Sequence, residues 1–293
     1  MSLINRSGLA HPGLTGQSGP IGQLCAYYAR VIHLGFIDES CWNRGRYRAV
    51  GMVSVPVAHL GTIESALRPS RLLGKLAEWK NARPNSYESM LYLLSGAVHF
   101  AALRQLRVDV LCWDTHDSRH NVSGRDDAEN LKRMMYRVAH HGIRCWGAPA
   151  RWLLVIDRSD IAESYCGKLT ELLNNKLSPN IQIHGALLGD AIKNLFLLLA
   201  DIFAGIGCFS WLNASSYNRT GLSSMPGRPQ SRTETRFRLL FELERIAAMR
   251  GFEFDVARHG GLLTRDPRSN INFWLYAPQG SYDRAPIRIR HRD

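Results

Sequence analysis

The chain has 293 residues, 45% of them apolar, with ten Phe and seven Trp, enough to bury a sizeable core and too apolar for a disordered chain. Its formal net charge is +12, and of its 37 basic residues 31 are Arg; the excess gives no support to a neutral substrate and suits a polyanion gripped by planar guanidinium forks. The longest apolar stretch, Ala186–Trp211, is broken by Asp190, Lys193, Asn194 and Asp201, so no membrane span is expected; with no secretory leader read at the start and six scattered Cys lacking a CxxC pair, a reduced, cytoplasmic protein is expected.

Residues 1–30 read as an N-terminal arm, rich in Gly, Ser and Pro through residue 22, with a short helix over Ile21–Ala29. Val31–Ser40 follows as a buried strand that ends in two carboxylates, Asp38 and Glu39. Successive side chains on a strand face opposite ways. One of the two can therefore face a cleft, and charge buried there needs a metal ion or a basic group opposite it. A turn at Asn43–Arg46 leads into a second strand, Tyr47–Val55, so the fold is expected to open with an antiparallel hairpin. Helical turns are expected around Thr62–Leu67 and Arg71–Glu78, then a long helix from Ser86 to about Arg104 with Ser86 as its cap.

The remaining elements alternate. Leu106–Asp114 is a strand ending in a carboxylate; Asp126 or Asp127 caps a helix running to about His141; Trp152–Asp157 is another strand ending in Asp. Ile161–Lys176 reads as a helix, Ile181–Leu188 as a strand with Asp190 just beyond, and Lys193–Phe209 as a helix holding Asp201 among apolar neighbours. A hairpin followed by alternating strands and helices implies an α/β domain, a mixed sheet with helices on both faces, over residues 31–211. Residues 212–235 read as a linker and 236–293 as a small basic α+β extension: a helix over Phe237–Met249, two strands (Gly251–Val256 and Ile271–Tyr276) and an Arg-rich tail. Half of the net charge lies beyond residue 212, which points to Arg228, Arg232, Arg236, Arg284, Arg288 and Arg290 as contacts for a nucleic-acid backbone.

Carboxylates dispersed in sequence yet placed at strand ends and on a packed helix are what two divalent ions flanking a phosphodiester require. Asp38, Asp114, Asp157, Asp190 and Asp201 meet that description. Asp157 has a competing explanation, because Arg158 and the Ser159-Asp160 pair after it look like ordinary helix capping.

The pairing of Phe36-Ile37-Asp38-Glu39-Ser40 with Leu199-Ala200-Asp201-Ile202-Phe203-Ala204-Gly205, with Glu78-Trp79-Lys80 between them, resembles the domain-of-unknown-function family numbered three-thousand-eight-hundred, a group with an RNase H-like fold. Two positions depart from that family's pattern: Cys41 stands where it has Gly, and Leu198 where it has Gln. The resemblance implies Asp38, Glu78 and Asp201 as metal ligands, Asp190 as an acid just before the last helix, and Lys80 as a phosphate or carboxylate partner. RNase H-like folds generally put a further acid at the end of the strand after the first long helix, which selects Asp114, with Asp117 as its rival; Glu88 is the rival of Glu78. Glu39, His116 and Asp117 would then surround the ligands.

The expectation is a nuclease using two Mg²⁺ or Mn²⁺ ions on DNA or RNA, with a homo-oligomer or protein partner left open. The second reading is an RNase H-like module that binds nucleic acid or a partner without cutting, and a carboxylate-pair glycosidase ranks below both. A zinc site from Cys112, His116 and His120 is disfavoured because they share no helical spacing. Trp42, Trp79, Trp113 and Trp146 could stack on bases, although core packing is the commoner use of Trp.

Overall fold

The structure, a computed structural model, describes residues 31–41, 45–68, 78–117, 125–217, 227–254, 256 and 260–277. All of these fall in one unit, Val31–Asp293. The expected N-terminal arm, the helix at 71–77, residues 218–226 of the expected linker and the Arg-rich tail lie outside the described residues; of the rest of that linker span, 212–216 and 232–235 are helical.

The β-branched and aromatic residues of the opening stretch form β1 (His33–Ser40), and β2 (Tyr47–Pro56) pairs with it antiparallel, Asp38 opposite Gly51. β3 (Arg107–Asp114) pairs antiparallel with the far side of β2, and β4 (Ala150–Asp157) lies parallel to β1 on its other side. β5 (Ile181–Gly189) extends the sheet parallel to β4, and β6 (Ile271–Leu275) adds parallel to β3. The strand order is β5-β4-β1-β2-β3-β6. This is the mixed, hairpin-opened sheet of an RNase H-like fold, as the sequence led one to expect.

The helices are α1 (Val57–Leu67), α2 (Tyr87–Ala102), α3 (Asp127–Trp146), α4 (Asp160–Lys176), α5 (Leu195–Asn213) and α6 (Arg232–Met249). Several starts are fixed by side-chain caps: Asp126 accepts from the Glu129 N–H, Ser159 from Ala162 and Ser231 from Glu234. Ser86, the expected cap of α2, instead turns its hydroxyl back to the Asn81 and Arg83 carbonyls.

α3 and α4 cover one face of the sheet. Ile37, Met52, Trp113 and Ile156 pack there against Leu131, Met135 and Leu169. α5 covers the other face, where Phe36 stacks on Phe196 with ring centroids 4.9 Å apart. Leu195 through Ser210 of α5 are all buried. Its apolar character, sufficient in length and composition for a membrane crossing, is thus satisfied by the sheet below it. At about 2 kcal/mol per fully buried large apolar side chain, α5 is a principal source of stability.

The C-terminal region differs from its expected form. Gly251–Val256 is not a strand; Phe254 makes only an isolated bridge to Thr264. β6 belongs to the main sheet rather than to a separate extension. It is recruited by a buried polar group on β3: Arg107 donates twice to Asp109 at 2.7 Å, and Asn272 of β6 donates to the same carboxylate at 3.3 Å. A paired, hydrogen-bonded charge is the tolerable form of charge in a core, and it ties β6 to β3 in one register.

Candidate active site

The site lies on the α5 face of the sheet, at the ends of the parallel β1 and β4. Phe36 faces α5 and Ile37 the α3–α4 core, so by alternation Asp38 faces α5 and Glu39 the other side. Asp201 reaches the sheet because α5 runs unusually close there. A side chain at Gly51, the register partner of Asp38, would come within 2.5 Å of the Ala200 carbonyl oxygen. The bare backbone at Gly51 thus admits α5 and sets Asp201 over the end of β1.

Asp157 completes this edge. Ile37 is paired with Ile156 across the β1–β4 ladder, so Asp157 follows beside Asp38 and faces α5 with it. It accepts a hydrogen bond from the Ala191 N–H at 2.8 Å. Glu78 comes from the turn that precedes α2, and its carboxylate is paired with Lys80 at 2.8 Å. Trp79, buried between them, donates its N–H to Asp201 Oδ2 at 2.5 Å, and the Ser40 side chain also hydrogen-bonds Asp201.

The electrostatics are those of acids held together against their repulsion. Burial, followed by the charges of Asp201, Asp157 and Glu39, holds the Asp38 carboxyl well above the usual carboxylate range. Asp201 is pushed up to about 6 by burial, opposed by the Trp79 and Ser40 hydrogen bonds. Asp157 is raised by burial and by the charges of Asp190 and Glu78. Glu39 is pushed up to about 7 by burial and then by Asp157. Lys80 feels Glu78, Asp201 and Asp157 together, and its own pKa is raised by them. Protonation, or a cation, relieves this arrangement.

Asp38, Glu78, Asp157 and Asp201 offer hard oxygen donors from four separate elements, and this donor chemistry fits Mg²⁺ or Mn²⁺. As placed, no three acidic, His or Cys side chains among the described residues form a ready ligand shell. Glu78 is engaged with Lys80 and one Asp157 oxygen with Ala191.

Of the expected site residues, Asp38, Glu78, Lys80 and Asp201 come together. Asp114 does not join them. β2 separates its strand from β1, and its carboxylate is clasped by Arg46 through three hydrogen bonds of 2.6–3.0 Å. His116 and Asp117 stay with Asp114, each donating a backbone N–H to it, the first to the carboxylate and the second to the carbonyl. Asp190 sits beside Asp157 but is solvent-facing and paired with Lys193 at 3.2 Å, which lowers its pKa. Glu88 points away toward Arg228, 3.6 Å distant. Asp157, which ends an apolar strand but has the capping Ser159 after it as a competing explanation, joins the site although the expected ligand set omits it; Ser159 does cap α4 as well.

The expected backbone contacts also divide. Arg228 is exposed and paired with Glu88, away from the site. Arg232 donates to the Lys80 carbonyl, and Arg236 donates to the Trp79 carbonyl at 3.1 Å while lying 5.0 Å over the Trp79 ring. Arg284, Arg288 and Arg290 lie outside the described residues. Trp79 and Trp113 are buried in packing, and Trp146 donates its indole N–H to Ser54 and packs its ring 5.1 Å from that of His33. Trp42 and His120 lie outside the described residues, and Cys112 is buried, which leaves the zinc grouping without support.

No family model matches the chain. Two proteins of Methanothermobacter thermautotrophicus, uncharacterized protein ORF2 and uncharacterized protein ORF2′, are each 29% identical to it over 283 and 292 residues, spanning 88% of this chain and 98% of each relative. Among solved structures, the PCNA:RNase HII complex from Archaeoglobus fulgidus contains a chain with a TM-score of 0.38 and 16% identity, covering 74% of this chain and 90% of that one. The ribonuclease H2 from Pyrococcus horikoshii OT3 also gives 0.38, at 14% identity over 73% of this chain and 99% of its own. The fold assignment rests on the strand order and pairing given above.

Proposed function

We propose that the chain is a divalent-metal-dependent nuclease acting on DNA or RNA, and that it belongs with the domain-of-unknown-function family its motifs resemble. One observation carries the reading: Asp38, Glu78, Asp157 and Asp201 converge from a strand, a turn, a second strand and a helix, and burial together with neighbouring acidic charge raises the pKa values of Asp38, Asp157 and Asp201. Carboxylates gathered at that cost are characteristic of functional sites.

Mg²⁺ or Mn²⁺ would be held by Asp38, Asp157, Asp201 and Glu78. Divalent ions would supply, when bound, neutralisation of phosphate charge and a lowered pKa for water, making hydroxide available as the nucleophile near neutral pH. The protein's own part is placement. β1 and β4 fix Asp38 and Asp157 side by side, α5 sets Asp201 across from them, and the Trp79 N–H and Ser40 orient the Asp201 carboxylate. Lys80 keeps a cation at the mouth, where a phosphate would approach, and would pass from Glu78 to that phosphate. The excess of Arg over the whole chain attracts the polyanion.

The test is cleavage of labelled single- and double-stranded DNA and RNA with Mn²⁺ or Mg²⁺ by the full chain, comparing wild type with Asp38→Asn and Asp201→Asn. Divalent-dependent cutting lost in both variants supports the reading, and cutting retained in both overturns it. The engagement of Glu78 by Lys80 favours the second reading, a module that binds nucleic acid without cleaving. Tight, salt-dependent binding with no cleavage under any condition would select it.

A further inference from the structure

The guanidinium of Arg236 and the turn that carries Glu78 come from opposite ends of the sequence, and their contacts are built rather than incidental. Arg236 Nη2 donates to the Trp79 carbonyl at 3.1 Å, and its guanidinium lies 5.0 Å from the Trp79 ring and 5.9 Å from that of Phe209. One helical turn earlier, Arg232 donates to the next carbonyl, that of Lys80. Beneath, the Trp79 ring rests on Gly205, where any side chain would overlap it. The Trp79 N–H then passes to Asp201, one turn before Gly205 on α5. Trp79 is thus gripped from above by α6 and from below by α5, with Glu78 and Lys80 on either side of it.

We infer that Arg236 is a positioning residue of the carboxylate centre: it clamps Trp79, and through Trp79 it fixes both the hydrogen bond to Asp201 and the place of Glu78. Arg232 assists by holding the Lys80 carbonyl. This assigns α6 a role other than gripping the nucleic-acid backbone, since Arg232 and Arg236 each direct a guanidinium nitrogen to a carbonyl of the turn. A guanidinium suits this because its planar fork can donate to a carbonyl and stack on an indole at once, which an ammonium cannot. The part of the inference that concerns ion binding and catalysis rests on the nuclease reading; the clamp itself does not.

The experiment uses the full chain as wild type, Arg236→Met and Arg236→Lys, with thermal melts to confirm folding. Hydrogen exchange at the Trp79 amide reads the clamp directly. Exchange at least tenfold faster in Arg236→Met, with Arg236→Lys intermediate and amides of β1 unchanged, is the expected result. Unchanged protection of that amide in folded Arg236→Met overturns the inference. Mn²⁺ binding by calorimetry should weaken by about tenfold, the scale expected when a group supporting a ligand is removed, and kcat should fall with KM for nucleic acid held within about twofold. A rise in KM and a flatter salt dependence, with kcat and Trp79 exchange unchanged, would instead make Arg236 a backbone contact and overturn the positioning role. If wild type binds no Mn²⁺ and cuts nothing, the nuclease reading fails, and the exchange result still decides the clamp.

Discussion

Asp157 stands beside Asp38 at the end of the parallel β1–β4 pair, one position past the paired Ile37 and Ile156, and both carboxylates face α5. Asp157→Asn should therefore be as damaging as Asp38→Asn, a loss of roughly 100-fold or more in kcat, the scale on which removing one group from a reacting centre is felt. Asp114→Asn should leave activity within about twofold, because its partner is Arg46 and not the site. Steady-state cleavage by the three variants decides between Asp157 and Asp114, and the opposite ranking would restore Asp114.

Gly205→Ala should strike stability and activity together. The added methyl would overlap the Trp79 ring, and overpacking of this sort costs about 1–3 kcal/mol. If Trp79 yields by moving, its N–H leaves Asp201. Denaturant melts should show the loss, and cleavage should fall by more than the unfolded fraction explains. A fully active Gly205→Ala would mean that Trp79 does not seat the site.

The pH dependence of stability has a defined sign. Glu39 is pushed up to about 7 and Asp201 to about 6 in the folded protein, whereas in the unfolded chain both titrate near 4. The folded state therefore binds protons more tightly. The stability these groups give is complete below about pH 4 and is lost as the pH rises through 6 and 7. Without divalent ions, Tm should fall between pH 5 and pH 8. Glu39→Gln should flatten that slope and exceed wild type at pH 8, by no more than about 4 kcal/mol. Parallel slopes for the two proteins would remove Glu39 from the account.

Asp109 supplies a control far from catalysis. It is wholly buried between Arg107 and Asn272, so Asp109→Ala leaves Arg107 uncompensated and should cost about 3–5 kcal/mol. Arg107→Met combined with Asp109→Leu should recover most of that loss. Chemical denaturation of the single and double variants checks this, with no recovery in the double variant as the contrary result.

Much of the fold was legible because its signals are local. The hairpin, the alternation of strands and helices, and the caps at Asp126 and Ser159 are written in residues that touch within a few positions. Asp38 and Asp201 were legible for a different reason: each is an acid in apolar surroundings, and burial makes that expensive. Choosing between Asp114 and Asp157 required knowing which strand lies next to β1, and strand adjacency is a property of the whole sheet that neither segment carries. The capping at Ser159 was read correctly but was not exclusive, since Asp157 can end a strand at the site while Ser159 starts the next helix. The roles of Arg232 and Arg236 were illegible for the same global reason. Nothing near residue 236 reveals that Trp79 will lie under it.

The pairing of β3 with β6 joins Val108 to Ile271, a separation of more than half the chain. During synthesis β3 leaves the ribosome long before its outer neighbour exists, and for that interval its edge amides and the Asp109 carboxylate have no Asn272 to meet. Contacts of such long span close late and slowly. The nascent chain must therefore wait with an open sheet margin, the kind of surface on which strands of other molecules assemble, until Ile271–Leu275 arrives to seal it.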